Sequence, residues 1–173
     1  MSGIAFVPAG SLPGERCSGM RSNVRVILYG GLTAGTLDLL AAFISSWLRA
    51  GVGPVRVMQS IASGLLGAAS FTGGAGSAAF GVALHFLIAT VATAVFCAAS
   101  RSLRFLVEYA IAAGLLYGVA VYVFMNFVVI PLSAVPRRAG QAPLSGRIIG
   151  LLIIMFCVGL PIAVLVRRFE RQP

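Results

Sequence analysis

Apolar positions run along this chain in long unbroken stretches rather than in the alternating or one-faced patterns of a soluble fold. Four such stretches are each long enough to cross about 30 Å of hydrocarbon at about 1.5 Å per residue. They run from about Val24 to Leu48, Ser77 to Ala99, Phe105 to Leu132 and Gly146 to Val166. Pro131 and Pro136 mark the exit of the third, and Pro161 kinks the fourth near its end without breaking it. The predicted fold is an all-α membrane protein, a bundle of four transmembrane helices spread over residues 23–169.

The connections differ in character. Between the first and second spans, Arg49-Ala-Gly-Val-Gly-Pro54 is a break. After it, Val57, Met58, Ile61, Leu65 and Leu66 recur near helical spacing over about 55–69, too short a stretch to span. This segment is expected to be a short interfacial or re-entrant helix. The small-residue run Gly67 to Gly76 then reads as a flexible entry into the second span, and 133–145 as a polar, proline-rich loop. Residues 1–22 are rich in Gly, Pro and Ser and lack an uninterrupted apolar stretch. They read as a disordered cytoplasmic tail, or as an over-extended start upstream of Met20.

Composition narrows the class further. Of the 173 residues 59% are apolar, and adding the 21 Gly gives roughly 71%, against about 45–50% in a soluble domain. Only 10% are charged, too few to cover a soluble surface. The bilayer is therefore the expected partner. The 13 basic residues are all Arg and give a net charge of +9. They lie between apolar runs, facing anionic lipid and cytoplasm, and form no basic patch with interleaved aromatics, so nucleic acid is not expected. An inward amino terminus puts Arg16, Arg21, Arg25, Arg101, Arg104, Arg167, Arg168 and Arg171 in the cytoplasm, and leaves Arg49, Arg56, Arg137, Arg138 and Arg147 outside. The bias favours both termini inside. Trp47 reads as an interfacial anchor near the outer end of the first span.

Candidate chemistry is sparse. Asp38 lies in the middle of the first span, where a carboxylate costs about 2.5–3.5 kcal/mol even on a lenient insertion scale. It must be paired, protonated or wet. His85, the chain's one His, lies in the second span. Antiparallel packing puts it within about one helical turn of Asp38 in depth. Asn126, in the outer part of the third span, can join from another helix. Two readings of an Asp38–His85–Asn126 cluster stand open. One is a proton relay or ion-coupling site, with Asp38 alternating between charged and neutral and His85 titrating near neutrality. The other is a polar clasp fixing helix register, worth about 0.6 kcal/mol per contact.

Glycines spaced four apart let membrane helices approach closely. Gly31–Gly35, Gly114–Gly118 and Gly146–Gly150 have this spacing and are expected to pack helices within one chain or between two copies. Glu108 is placed to pair with Arg104 one turn earlier. Tyr117 and Tyr122 read as packing residues, and Cys97 and Cys157 as small hydrophobes. One His and four acids build no zinc site, Cys/His ligand spacing and a CxxC are missing, and neither a nucleophile elbow, a Ser–Lys pair nor a phosphate loop occurs. No metal, no cofactor and no enzyme activity are expected.

Several of these features together resemble the YagU-like family of small bacterial inner-membrane proteins. They are Gly31-Leu-Thr-Ala-Gly35 opening the first span, a His-bearing second span, and Gly114-Leu-Leu-Tyr-Gly118 in the third. The exit from Phe127 to Pro131-Leu132 and paired Arg after the fourth span complete the pattern. The resemblance covers about 24–169. It implies a four-helix inner-membrane protein and carries over no catalytic residue. Asp38, the short loop between the first two spans and the lack of a His in the fourth depart from it. The expected role is a non-enzymatic one in the envelope, by packing with a second copy or a membrane-protein partner. The alternative is a dimeric proton-coupled transporter using Asp38 and His85.

Overall fold

The computed structural model describes residues 13–136 and 143–170, with side chains from Val24 onward. Its elements are α1 (Pro13–Ala50), α2 (Pro54–Leu66), a 3-10 turn (Gly67–Phe71), α3 (Gly74–Ser102) and α4 (Phe105–Glu108). They continue with α5 (Ala110–Phe124), α6 (Ile130–Leu132), α7 (Leu144–Ile153) and α8 (Leu160–Glu170). There is no strand among the described residues. Wide π turns, Met125–Val129 and Ile154–Gly159, join α5 to α6 and α7 to α8.

Four continuous helical stretches are long and apolar enough to cross a membrane: Val24–Ala50, Gly74–Ser102, Ala110–Leu132 and Leu144–Glu170. The protein is a multi-pass, all-α membrane bundle. At about 1.5 Å per residue every span exceeds about 30 Å, so its ends reach the headgroup region. The start of the first span and the end of the fourth lie at one end of the bundle, where the Tyr29 and Phe169 rings stack at 6.4 Å. This is called the terminal end below; the opposite end, with α2 and Arg49, is the loop end.

Three boundaries depart from the sequence expectations. First, α1 is helical from Pro13, where a disordered tail was expected through residue 22. Proline suits the first position of a helix because its fixed φ and missing N–H cost nothing there. Residues 1–12 lie outside the described part. Second, the third span begins at Ala110 rather than Phe105. Tyr109 leaves the helical region (φ −103°, ψ 45°) and separates a single turn, α4, from α5. The break turns α5 so that Ala110, Ala113, Gly114 and Gly118 are buried while Tyr109 stays outside.

Third, the run Gly67–Gly76 is folded rather than a loose linker. The buried Gln59 Nε2 donates to Gly74 O at 3.1 Å and reaches Ser77 Oγ at 3.5 Å. Ser77 Oγ in turn donates to Ser70 O at 2.6 Å. These bonds tie α2 and the 3-10 turn to the first turn of α3 through backbone carbonyls. The same face of α2, through Val57, Met58, Ala62 and Ser63, packs on the first turns of α3. Gly81 makes this fit possible, since a side chain there would strike the Met58 carbonyl. Ala134 N donates to Gly64 O at 2.9 Å and pins the exit of the third span to α2. Arg56 covers the Phe71 ring at 4.3 Å, a cation–π contact on the same helix–turn unit.

Packing is uneven along the bundle axis. The apolar core, with Val26, Ala34, Phe96, Ala113, Ile162 and Val166, fills the terminal half. Toward the loop end, residues 36–50, 119–132 and 144–157 contain no buried residue. In the matching part of α3, only Ser77 and Gly81 are buried, beneath α2.

Candidate functional site

The first and second spans meet through small residues. A methyl on Gly31 would come within 2.8 Å of Thr90 Cα, and one on Gly35 within 2.9 Å of the Phe86 ring. This closeness lets His85 Nε2 lie 2.9 Å from the Gly35 carbonyl oxygen. A carbonyl can only accept, so Nε2 carries the proton and donates it. Asp38 Oδ2 lies 3.9 Å from the same nitrogen. That distance is beyond a hydrogen bond, so Asp38 faces His85 without bonding to it. The His85 and Asp38 side chains keep 12% and 21% of their surface exposed.

His85 Nδ1 is left as the ring's free proton acceptor. A proton there gives an imidazolium beside Asp38; a proton on Asp38 gives a neutral acid beside a neutral ring. The pair can hold one proton in either place. Cys157 is half-buried on the wide turn of the fourth span, which packs against α1. The third helix of the expected cluster does not join. Asn126 Nδ2 donates to Tyr122 O of its own helix at 2.9 Å. The side chain thereby satisfies itself locally, as Asn readily does.

The three glycine pairs have different surroundings. Gly31 and Gly35 face α3, as above. Gly114 and Gly118 face the fourth span at Gly159, where a methyl would strike the Gly114 carbonyl and sit 2.7 Å from Gly118 N. The two backbones touch there. Gly146 and Gly150 form no such seam. Gly146 lies under the Arg49 guanidinium, and the nearest atom to a methyl on Gly150 is Tyr122 Cε2 at 3.6 Å.

The wide turns were not anticipated. Each ends two residues before a proline, Pro131 and Pro161. Proline lacks an N–H and pushes against the carbonyl four residues back. Just before each proline the amide reaches back five residues instead of four: Ile130 N to Met125 O, and Leu160 N to Met155 O. Such turns recur at functional sites in membrane and soluble helices. The signal was present in the two prolines, but a kink and a wide turn are not distinguishable from proline position alone.

Among the described residues no buried side-chain polar atom lacks a partner. Tyr117 Oη donates to Ala92 O at 2.6 Å, joining the third span to the second, and its ring meets Phe96 edge-on at 5.0 Å. Ser100 Oγ donates to Glu170 Oε1 at 2.9 Å, tying the end of the fourth span to the second. The only ion-pair contact among the described residues is His85–Asp38, so the expected Glu108–Arg104 pair does not form. The break at Tyr109 ends their shared helix after one turn.

Compared with known proteins, the chain matches no family model, no curated protein and no solved structure.

Proposed function

We propose that the protein is a non-enzymatic, proton-coupled transporter of a small solute, working as a dimer in a bacterial inner (plasma) membrane with both termini in the cytoplasm. One observation carries this reading. Asp38 and Cys157 sit at the first half-buried positions beyond the tight half of the bundle, and His85 lies about one helical turn beyond it, also half-buried. The next buried residues toward the terminal end are Gly35, Ala89 and Val158. The titratable pair thus lies at the floor of the loosely packed loop half, near the middle of both spans, with close packing beneath it. An intramembrane acid at such a boundary has the placement of a coupling site. The wide turns give the third and fourth spans a place to bend without losing all their backbone bonds. Four spans line little of a solute path, so a second copy completes it. The YagU-like pattern supports the bacterial inner membrane as the setting, and the Arg distribution supports the orientation.

The second reading is an envelope protein that acts by packing with itself or a protein partner. It is favoured by the His85–Gly35 bond, which commits the ring to the neighbouring backbone and makes His85 a clasp. Water access separates the two. In a chain carrying Cys17→Ser and Cys97→Ala, Cys157 reports on the floor of the loop half. A charged, membrane-impermeant methanethiosulfonate is expected to modify Cys157 in sealed vesicles oriented with the loop end outward. Modification by a lipid-soluble maleimide alone supports the clasp and refutes the transporter.

A further inference from the structure

The loop end gathers positive charge without a counter-charge. The Arg49 guanidinium, at the end of the first span, lies against Gly146 at the start of the fourth, one residue before Arg147. Both arginines are exposed. No acidic residue occurs in 39–107 or in 109–169, so every loop residue at this end is neutral or basic. The nearest acid along either helix is Asp38, three turns below Arg49, about 16 Å at 1.5 Å per residue. Arg56 is already engaged over Phe71. Arg49 and Arg147 thus meet at one junction of the first and fourth spans with no carboxylate beside them; like charges so placed disfavour each other, and a shared anion relieves that. The planar forks of Arg suit an oxyanion through paired, charge-assisted hydrogen bonds. A ring of Arg at a channel mouth concentrates anions and turns cations away.

We infer that Arg49 and Arg147 form an oxyanion-binding mouth, and that the solute moving with the proton at Asp38–His85 is an organic anion; this rests on the transport reading above. The charges then couple the two events. An anion that has passed the arginines meets a charged Asp38 and is repelled. It advances when a proton from loop-side water sits on the Asp38 carboxylate. One proton released on the far side with one monovalent anion makes the step electroneutral. A lipid headgroup phosphate offers the same oxyanion chemistry, and the test separates the two sources.

Radiolabelled lactate is the probe, with the full chain in nanodiscs of phosphatidylcholine alone. The expected result is saturable binding that Arg49→Gln and Arg147→Gln each weaken by about tenfold, the size of one lost charge-assisted contact. Arg56→Gln is expected to change it by less than about twofold. Tetraethylammonium is expected not to bind. Lactate binding that is absent, or insensitive to both substitutions, overturns the inference, as does saturable tetraethylammonium binding. Phosphatidylglycerol retained through Arg49 and Arg147 without lactate binding assigns the pair to headgroups and overturns it too. Proteoliposomes test the underlying reading separately. If lactate binding depends on Arg49 but the unaltered protein shows no lactate-driven proton uptake that Asp38→Asn abolishes, the transport reading falls and the anion site alone remains.

Discussion

Gly159→Ala is expected to loosen the seam between the third and fourth spans. A methyl there collides with the Gly114 carbonyl oxygen and sits 2.7 Å from Gly118 N and 2.8 Å from Gly118 Cα. All three are backbone atoms and cannot rotate aside. Carbon contacts settle near about 3.5–4.0 Å, so the two helices must part by about 1 Å. A gap of that size forfeits about a quarter to a half of each contact along the seam. Overpacking of this kind costs about 1–3 kcal/mol. The better helix propensity of Ala returns up to about 1 kcal/mol of it in water. With that return in full the net loss is up to about 2 kcal/mol, a factor of up to about 30 in the folded-to-unfolded ratio. The assay is a denaturant titration in mixed micelles followed by far-ultraviolet circular dichroism, with Gly150→Ala as the matched control. That methyl meets only the Tyr122 ring edge, at 3.6 Å, an ordinary contact. Gly150→Ala is therefore expected to leave stability unchanged or slightly raised. If Gly159→Ala proves as stable as Gly150→Ala, the close backbone contact described here is wrong.

Two further perturbations probe other links. Tyr117→Phe removes the bond to Ala92 O while keeping the ring against Phe96; the expected loss in the same titration is about 0.6 kcal/mol and at most about 1.7. Gln59→Leu keeps the volume of the side chain but removes the donor that α2 supplies to Gly74 O and Ser77 Oγ, leaving Gly74 O to Ser77 Oγ alone among side chains. Backbone hydrogen exchange over 67–77 is expected to quicken, with the fourth span unchanged; equal protection in both proteins would show that the network does not hold this turn.

Much of the architecture was legible because hydropathy is a one-dimensional signal, and depth in a membrane is nearly one-dimensional too. The four spans and the common depth of Asp38 and His85 follow from it. What the sequence conceals is azimuth, the direction in which each helix turns its faces. Asn126 lies at a plausible depth, yet its side chain bonds the backbone of its own helix. Gly146–Gly150 has the same spacing as Gly114–Gly118, yet one pair faces an arginine and a ring edge and the other faces a helix backbone. Spacing names a stripe but not what lies opposite it. Gln59 was hidden differently, as a single polar residue within an apolar run. Its importance comes from the carbonyl of Gly74 and the hydroxyl of Ser77, fifteen and eighteen residues away. The wide turns depend on how Pro131 and Pro161 resolve their steric conflict, which the packing of Gly159 on the third span helps to decide.

The central claim is that Asp38 exchanges a proton within the membrane. Infrared difference spectroscopy in lipid tests it most directly, with Asp38→Asn as the blank. The account predicts a carboxyl C=O band that changes reversibly with bulk pH and is lost in Asp38→Asn, with its position altered by His85→Gln. A spectrum in which no pH-dependent carboxyl band distinguishes the two proteins contradicts it, and leaves Asp38 a fixed element of the clasp between the first two spans.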